Sequence, residues 1–506
     1  MRSGFLLTAP ILLPLVFGIL LGIQPALFKS SGGERPRQWL VLAAFILNAA
    51  LVLAAVLHPG LRFTVINLTD RLSILFITDG MGAFFCVLVA VVYLLAGIYS
   101  LEYMKHEQNT GRFYMFFLFT LSMLNGIGLA RNLMTLYLFF EALTLLSLPL
   151  VIHTMTKEAI AATFKYLFYS MAGTSLALVG FFFVYNYGRT LEFMPGSVLD
   201  MTRLAGHENA MLTAVLLAIV GFGAKAGMFP LHSWLPAAHP VAPAPASAIL
   251  SGIITKAGVF AVIRFVFYLI GPDFLRGTWA QTIWMILALI SIVIGSMLAY
   301  RETVFKTRLA YSSISQVSYV LFGLSILSAD GMLGAMMHMV SHSLVKSALF
   351  FTAGAVAYMT QKTAVSDLRG IGKQMPATLG CFTLAAITLV GIPPTGGFIS
   401  KWYLATGSLA AGTGVFTWLG PAVLLLSALL TAGYLLPISI SGFFPGRETR
   451  QDHEALPGGN PGTFERKEAN ALMTAPLIVL AVLAVLIGIF PGALISFFND
   501  TIRVVF

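Results

Sequence analysis

Two lysines lie in apolar segments of the sequence, where a charged side chain is costly. Lys225 stands in GFGAKAGMFP and Lys256 in SGIITKAGVF, on either side of a stretch rich in proline and alanine, residues 230–248. A lysine at the centre of a membrane helix costs about 2.5–3.5 kcal/mol on insertion scales, and an irregular break at that depth is tolerated only inside protein or beside water. Two lysines that flank such a break therefore predict a proton path.

A glutamate and two more lysines also lie in apolar runs. Glu141, in LYLFFEALTLL, is interpreted as a charge partner for Lys225, because a nearby carboxylate favours the charged lysine whereas burial favours the neutral one. The alternative is a protonated or hydrogen-bonded glutamate that serves packing. Lys401 is interpreted like Lys225 and Lys256, and for all three the alternative is a structural ion pair or snorkelling. Lys165 lies close enough to the start of its run for its amine to reach the interface.

One run carries three titratable side chains on a single helix face. MMHMVSHSLVKSALF places His338, His342 and Lys346 four residues apart, a spacing that aligns side chains on one side of a helix. Imidazole titrates near neutral pH and has two nitrogens that can pass a proton along, so the stripe is interpreted as a proton relay. One alternative is a pair of hydrogen-bonded structural histidines. The other is a metal site, which is disfavoured because no Glu or Cys accompanies the histidines as in an HExxH helix.

Several polar residues near the ends of apolar runs are given local roles. His232, in PLHSWLP, is expected to shape the break together with Trp234 or to line the entrance of the path. Asp79, in TDGMGAFF, is expected to be a helix N-cap. Lys306 and Arg308 are interpreted as anchors at the cytoplasmic surface.

Composition restricts the class of protein. Of the 506 residues 58% are hydrophobic and only 10% charged, with a mean hydropathy of +0.88, whereas soluble domains carry about 25% charged residues. Cys86 and Cys381 are too few for an iron–sulfur cluster, and no nucleotide-binding glycine loop is visible. The sequence predicts a polytopic membrane protein without a redox or nucleotide cofactor of its own.

About fourteen apolar runs are long enough to cross a hydrocarbon core of ~30 Å, the first being interpreted as a retained helix rather than a signal peptide. They are residues 5–23, 38–57, 79–101, 113–130, 132–152, 159–187, 210–229, 241–269, 280–299, 309–326, 331–360, 375–405, 417–443 and 471–497. The predicted fold class is an all-α polytopic membrane protein. The longest polar stretch, about 444–470, is expected to be a solvated cytoplasmic loop.

The distribution of Lys and Arg predicts the orientation. Sixteen are assigned to the odd-numbered connections: Lys29, Arg35, Arg37, Lys105, Arg112, Lys157, Arg301, Lys306, Arg308, Lys362, Arg369, Lys373, Arg447, Arg450, Arg466 and Lys467. Nine are assigned to the termini and even-numbered connections: Arg2, Arg62, Arg71, Arg131, Arg189, Arg203, Arg264, Arg276 and Arg503. The richer side is expected to be cytoplasmic, so both termini face the opposite side.

A short internal repeat accompanies the lysines. The pattern Gly-Phe-x-x-Lys occurs at residues 221–225 and again at 397–401, the second time after Pro393 and Pro394. Each copy pairs an intramembrane lysine with a helix breaker. Interrupted helices in corresponding halves of a transporter indicate its transport site.

Four ordered motifs give the sequence a resemblance that covers nearly the whole chain. PLHSWLPAAHPVAPAPASAILSGIITKAGVFAVIR, KTRLAYSSISQVSY, HMVSHSLVKSALFFTAG and GIPPTGGFISKW resemble the antiporter-like, proton-translocating membrane subunits of respiratory complex I. The same superfamily includes the large subunits of multisubunit sodium/proton antiporters and of energy-converting membrane hydrogenases.

The resemblance implies fourteen transmembrane helices with two inverted five-helix repeats, each with a broken helix. Glu141 would correspond to the fifth-helix glutamate and Lys225 to the seventh-helix lysine that it modulates. Lys256 would be the connecting lysine, His338 the connecting histidine, and Lys401 the terminal ionisable residue of a polar axis. The implied segments are helices 1–3 in 1–110, a first repeat in 111–270, a second in 271–443, and the loop with the last helix in 444–506.

The resemblance further implies a multisubunit complex in a prokaryotic inner membrane, whose iron–sulfur clusters, flavin or quinone belong to partner subunits. The chain lacks the lateral helix of the distal complex I subunit, and Lys401 replaces the glutamate usual in the middle one, so the kind of complex stays open. The hypothesis is a proton-translocating subunit of an oxidoreductase complex. A sodium/proton antiporter is the main alternative, although Glu141 and Asp79 are the only evident carboxylate candidates. A solitary transporter and a scaffold subunit are alternatives of other classes.

Overall fold

The structure is a computed structural model that describes residues 2–27, 34–445 and 466–506. It is a helical bundle, which confirms the predicted fold class. The helices are α1 (Arg2–Leu27), α2 (Glu34–Val56), α3 (Gly80–Tyr103), α4 (Thr110–Leu129), α5 (Leu133–Val151), α6 (Lys157–Tyr187), α7 (Met201–Leu204), α8 (Glu208–Ala226), α9 (Leu235–Val241), α10 (Ala244–Ile249), α11 (Thr255–Phe265), α12 (Pro272–Leu275), α13 (Trp279–Arg301), α14 (Phe305–Ser325), α15 (Ala329–Thr360), α16 (Ile371–Gln374), α17 (Pro376–Val390), α18 (Gly396–Ala410), α19 (Phe416–Phe443), α20 (Ala471–Ile489) and α21 (Gly492–Ile502). Short 3₁₀ turns cover Met104–His106 and Val365–Leu368, and π-helical turns cover Leu250–Ile254 and Val266–Ile270.

Twelve helices of the described ranges are long and apolar enough to cross a membrane. Two of the fourteen predicted runs fall outside that set. The run 309–326 forms α14, which carries five serines and Gln316 and is therefore less apolar. The run 375–405 is divided between α17 and α18. The protein is thus a multi-pass membrane protein in which one predicted span is polar and another is split.

Part of the predicted topology lies outside the described residues. Residues 446–465, which form most of the expected cytoplasmic loop, are not described, and neither is Lys29. Arg264, assigned above to a connection, lies in α11 and is fully buried. Its assignment to a loop was wrong, because the apolar run that contains it continues to Ile270.

The first break separates α8 from the span that follows. Helix α8 ends at Ala226 and is followed by Gly227, whose φ of +84° is a left-handed conformation that glycine adopts without steric cost. A turn then leads into α9, and the indole nitrogen of Trp234 donates to the carbonyl oxygen of Ala224 at 2.9 Å. Trp234 therefore caps the carbonyl end of α8 within the break, while the expected role of His232 there stays a prediction.

The second break has the same form in the other half of the chain. Helix α17 ends at Val390 and is followed by Gly391, also at positive φ, and α18 begins five residues after this glycine. Lys225 lies in the last turn before the first break, and Lys401 lies in the second turn after the other break. Each lysine is thus placed beside helix-end backbone groups that lack intrahelical partners.

A β-hairpin, which the sequence reasoning missed, connects α2 to α3. Strand β1 (Arg62–Asn67) pairs antiparallel with β2 (Ser73–Ile77), with Phe63 opposite Phe76 and an irregularity between Thr64 and Ile66. Immediately after β2, a side-chain oxygen of Asp79 accepts from the amide of Gly82 at 2.8 Å. The predicted N-cap at Asp79 is confirmed.

Two spans form the centre of the bundle. The span Ala244–Ile270 and helix α15 are buried along their most apolar windows, whereas the outer spans such as α1 and α2 are mostly not. The central spans carry Lys256 and the stripe of His338, His342 and Lys346. Any polar group on them must therefore find its partners inside the protein.

Candidate proton-transfer axis

Lys225 is fully enclosed between α5 and α8. Its amine donates to the hydroxyl of Thr144 at 2.6 Å and to the carbonyl oxygen of Phe140 at 3.3 Å, and it lies 4.5 Å from the centroid of the Phe140 ring. These partners are all electrically neutral. The site can therefore hold the amine without a counter-charge in direct contact, which is what reversible protonation requires.

Glu141 is not in ion-pair contact with Lys225. Its carboxylate is half-buried and accepts from the hydroxyl of Tyr137 at 3.1 Å, while Thr144, three residues further along α5, contacts the lysine instead. Glu141 still interacts electrostatically with Lys225 across the gap. Glu141 and Lys225 therefore interact through space and not through a hydrogen bond. The hydroxyl of Thr144 occupies the contact between α5 and the lysine on α8.

Lys256 follows the first π-helical turn of its span. Its amine donates to the carbonyl oxygen of Ser251, in that turn, at 2.5 Å, and lies 3.4 Å from the hydroxyl of Thr255. π-Turns are frequent at functional sites. The helices of Lys225 and Lys256 touch closely, since a Cβ at Gly258 would lie 2.6 Å from the carbonyl oxygen of Phe222.

The histidine stripe is buried and incompletely hydrogen-bonded. The rings of His338 and His342 lie 5.9 Å apart, and Nδ1 of His338 is 2.9 Å from the hydroxyl of Ser400. Nε2 of His338 and both ring nitrogens of His342 have no hydrogen-bond partner among the described residues. His342 interacts electrostatically with Lys256, Lys346, His338 and Lys401. It therefore lies between Lys256, in the first half of the chain's buried lysines, and Lys401, in the second.

Two more buried lysines, Lys346 and Lys401, lie near the histidine stripe. Lys346 donates to the carbonyl oxygen of Leu309 at 2.9 Å and makes a short contact with the hydroxyl of Ser312. Lys401 donates to the carbonyl oxygens of Leu389 and Val390, at 2.7 and 2.8 Å, which are the free carbonyls at the end of α17. Both amines are thus held by neutral oxygen atoms, as that of Lys225 is.

The two remaining candidates lie at the edge of this group. Lys165 is exposed on α6, and His232 is half-buried in the turn between α8 and α9, where its ring lies 5.8 Å from that of Phe229. Lys165 and His232 interact electrostatically with each other. Both therefore stand outside the hydrogen bonds that hold the buried lysines.

An ion pair between a fully buried arginine and a partly buried aspartate escaped the sequence reasoning. The guanidinium of Arg264 donates to both carboxylate oxygens of Asp79, at 2.6 and 2.8 Å, and its charge lies within 5.3 Å of the ring centroids of Phe193, Phe260 and Tyr268. Asp79 is thus an ion-pair partner as well as an N-cap. The pair joins α3 to α11, and the arginine within an apolar run was the available signal.

His239 is a second candidate that was missed. It is fully buried in α9, its ring stacks on Phe350 at 4.6 Å, and neither ring nitrogen has a hydrogen-bond partner in the part of the chain that the structure describes. It interacts electrostatically with Lys256, Lys306 and Lys346. Its position in the first motif, seven residues after His232, was visible in the sequence.

Within the described ranges, no cluster of three or more His, Cys, Asp or Glu could hold a metal ion. The candidate axis consists of amines, imidazoles and hydroxyls along Lys225, Lys256, His342, His338 and Lys401. Such groups accept and release protons, and the carboxylates of Glu141 and Asp79 lie at its margins. The chemistry that the arrangement supports is proton transfer through the middle of the bundle.

One connection outside the spans makes stability depend on pH. His153 is 4% exposed, burial and the charge of Arg112 lower its pKa from 6.5 to about 4, and its ring packs against Phe113. Because the folded pKa is below the unfolded one, the stability contributed by neutral His153 is complete above about pH 6.5 and is lost as the pH falls towards 4. We expect the melting temperature of wild type to fall relative to that of His153→Phe as the pH is lowered through this window, as measured by thermal unfolding in detergent. Parallel curves would contradict this assignment.

A membrane bundle with two interrupted helices and buried titratable groups beside the breaks is typical of ion transporters. The sequence profile of the family described as NADH:quinone oxidoreductase/Mrp antiporter, TM matches residues 130–429. A second profile, described as NADH-ubiquinone oxidoreductase (complex I), chain 5 N-terminus, matches residues 66–114. The chain belongs to this NADH:quinone oxidoreductase/Mrp antiporter family of antiporter-like membrane subunits.

Individual relatives agree with this assignment, and two solved structures share the fold. The chain is 33% identical to NADH-quinone oxidoreductase subunit N of Desulforudis audaxviator over 463 residues, which cover 90% of each chain. It is 28% identical to a subunit of the Na(+)/H(+) antiporter of Alkalihalophilus pseudofirmus over 453 residues, 89% of each chain. Its fold is similar to a chain of the archaeal membrane-bound sulfane sulfur reductase, with a TM-score of 0.83, 22% identity and coverage of 100% of this chain and 97% of the other. It also resembles a chain of the Mrp complex from Dietzia, with a TM-score of 0.82, 21% identity and coverage of 99% and 97%.

Proposed function

We propose that this chain is a proton-translocating subunit of a multisubunit membrane complex. Protons move through an axis formed by Glu141, Lys225, Lys256, His338 and Lys401, with His342 between the two halves. The driving force is a redox reaction or an ion gradient in partner subunits.

The observation that carries the proposal is the set of neutral partners around the buried amines. Within the described residues, Lys225, Lys256, Lys346 and Lys401 each donate to hydroxyl or carbonyl oxygens. A permanently charged lysine in such surroundings would bear a large desolvation cost, whereas a lysine that releases its proton would not. Imidazole nitrogens without a partner among the described residues lie between these amines, so that a released proton meets a free base.

The sodium/proton alternative is less well supported by the side chains. Sodium, like other hard cations, is bound by several oxygen ligands, and carboxylates are typical members of such a set. Asp79 is occupied by Arg264, and Glu141 lies at the margin of the axis, hydrogen-bonded to Tyr137. The relation to a Na(+)/H(+) antiporter subunit nevertheless makes sodium the ion to test first.

We further propose how the chain is organised and what it assembles with. We propose two repeats over residues 111–270 and 271–443, each with one break, after the helices in 1–110 and before the segment 444–506. Partners include related antiporter-like subunits, and redox cofactors such as iron–sulfur clusters, flavin or quinone lie in other chains. We place the complex in a prokaryotic inner membrane with both termini outside, as the charge distribution favours.

The deciding experiment measures proton translocation by the assembled native complex in inverted vesicles, energised by its own driving reaction, over a wide range of sodium concentrations. We expect the initial rate of acidification, followed with a pH-sensitive dye, to be independent of sodium. A rate that rises from near zero as sodium is added would assign the chain to the antiporter alternative. An equal rate in the wild-type complex and in an assembled Lys225→Met complex would support the scaffold alternative.

A further inference from the structure

A row of buried hydroxyl groups lies where α13, α14 and α19 meet, apart from the histidine axis. Its members are all 1% exposed or less: Ser296, Ser312, Ser315, Tyr319, Ser427, Thr431 and Tyr434. Hydroxyl groups donate and accept hydrogen bonds at the same time, so a continuous row of them can pass a proton.

The row begins at Lys346. The amine of Lys346 contacts the hydroxyl of Ser312 on α14. The hydroxyl of Tyr434, on α19, interacts with Ser312 on one side and lies 3.2 Å from the hydroxyl of Thr431 on the other. Tyr434 therefore bridges the lysine side of the row to the next turn of α19.

The row ends beside Lys401 and His338. The hydroxyl of Ser427 lies 2.6 Å from that of Ser296 and 3.1 Å from that of Ser315, and it also interacts with the phenol of Tyr319. The centroid of the Tyr319 ring lies 5.1 Å from the amine of Lys401 and 5.3 Å from the imidazole centroid of His338.

Three hydroxyl groups of the row are turned towards backbone carbonyl oxygens: Ser312 donates to Leu309 at 2.8 Å, Tyr319 donates to Leu424 at 3.0 Å, and Thr431 is the third. The hydroxyl of Thr431 donates to the backbone carbonyl of Ser427 at 2.7 Å, and not to its hydroxyl. The two side chains are one helical turn apart on the same face of α19. Rotation of these three hydroxyl groups towards their neighbours would close the row, and Thr431 holds its middle step.

We propose that the hydroxyl row on α14 and α19 is a second proton branch, which joins Lys346 to Lys401 alongside the histidine stripe, with Tyr434 and Thr431 as its relay residues. The inference rests on the proposed proton function of the axis. The branch gives Lys346 an outlet that does not pass through His342.

The transfer balances without any co-reactant. The ammonium of Lys346 gives a proton to Ser312 and becomes a neutral amine, while each hydroxyl accepts one proton and releases its own to the next group. At the far end the neutral amine of Lys401 accepts a proton and becomes an ammonium. Each hydroxyl is regenerated when its O–H bond turns back.

Packing is the alternative explanation, because small polar residues also let membrane helices approach closely. It predicts that side-chain shape matters and that hydroxyl chemistry does not. The branch predicts the reverse. Thr431 separates the two, since Thr431→Val keeps the shape and removes the hydroxyl, whereas Thr431→Ser keeps the hydroxyl and removes a methyl group.

The test compares Thr431→Val, Thr431→Ser and Tyr434→Phe in the assembled complex in vesicles. Tyr93→Phe is the matched control, because Tyr93 is likewise buried and lies 3.0 Å from a threonine hydroxyl, that of Thr120, away from the axis. A positioned proton-transfer group typically contributes about 10²–10⁴-fold. Because the histidine stripe carries protons in parallel, we expect a smaller effect here: the rate of proton translocation falls roughly fivefold or more in Thr431→Val and Tyr434→Phe. In Thr431→Ser and Tyr93→Phe the rate stays near that of wild type.

Two outcomes would overturn the branch. The first is an equal rate in Thr431→Val, Tyr434→Phe and wild type. The second is an equal loss in Thr431→Val and Thr431→Ser accompanied by reduced assembly on native gels, which would assign the row to packing. A Lys225→Met complex measured in parallel shows whether the axis itself carries protons, so failure of the branch is distinguished from failure of the proposed function.

Discussion

Replacing Lys225 by methionine abolishes proton translocation in the assembled complex. Methionine fills the space of the lysine stem but carries no proton, and Lys225 is the buried amine of the first half of the axis. We expect a loss of about 10²-fold or more, the lower bound for removal of a group that itself transfers a proton. The measurement is dye-detected acidification of vesicles at matched amounts of complex.

The control for this prediction is Lys157→Met. Lys157 lies at the start of α6 and is exposed, so its loss removes the same charge without touching the axis. We expect it to retain the wild-type rate. Unchanged translocation in Lys225→Met would remove this lysine from the mechanism and revive the scaffold alternative. Glu141→Gln should give a smaller loss, because the carboxylate acts on Lys225 only through space.

Replacing Asp79 by asparagine destabilises the fold far more than neutralising an exposed carboxylate. It leaves the guanidinium of Arg264, which is fully buried, without its carboxylate. Breaking a buried ion pair by removal of one partner costs about 3–5 kcal/mol. We expect a lower melting temperature in detergent and less assembled complex in the membrane.

Two comparison variants separate the ion pair from a general loss of negative charge. Asp273→Asn removes a carboxylate from the exposed pair with Arg276, and exposed pairs contribute only about 0–1 kcal/mol. The double variant Asp79→Asn with Arg264→Met should recover part of the stability, because the stranded charge is removed as well. A melting temperature in Asp79→Asn equal to that of Asp273→Asn would contradict the structural role.

The positions of the ionisable side chains within apolar runs were predictable from sequence. Lys225, Lys256 and Lys401 stand out because a lysine in an apolar run is expensive wherever the run lies in the membrane. The breaks were predictable too, since proline and glycine end helices for local reasons. The β-hairpin was missed, because its strands are short and lie between two much stronger apolar runs.

The partners of those groups were not predictable. The sequence paired Lys225 with Glu141, yet the amine donates to Thr144, which is 81 residues away in sequence. Glu141 and Thr144 lie less than one helical turn apart on α5. Arg264 was assigned to a connection, yet it pairs with Asp79 across 185 residues. Which side chain meets a buried charge depends on the rotation and crossing of two helices.

The sequence by itself determined that this chain is a multi-pass membrane protein, where its helices break, and which buried amines and imidazoles could carry protons. These follow from free energies of transfer and from backbone preferences, both of which are local. Only the tertiary structure decided that the lysines have neutral partners, that His239 is buried with no hydrogen-bond partner among the described residues, and that a hydroxyl row runs beside the axis. Hydrogen bonds act over about 3 Å between helices distant in sequence, so the packing of the bundle, and not the pattern of any one segment, selects them.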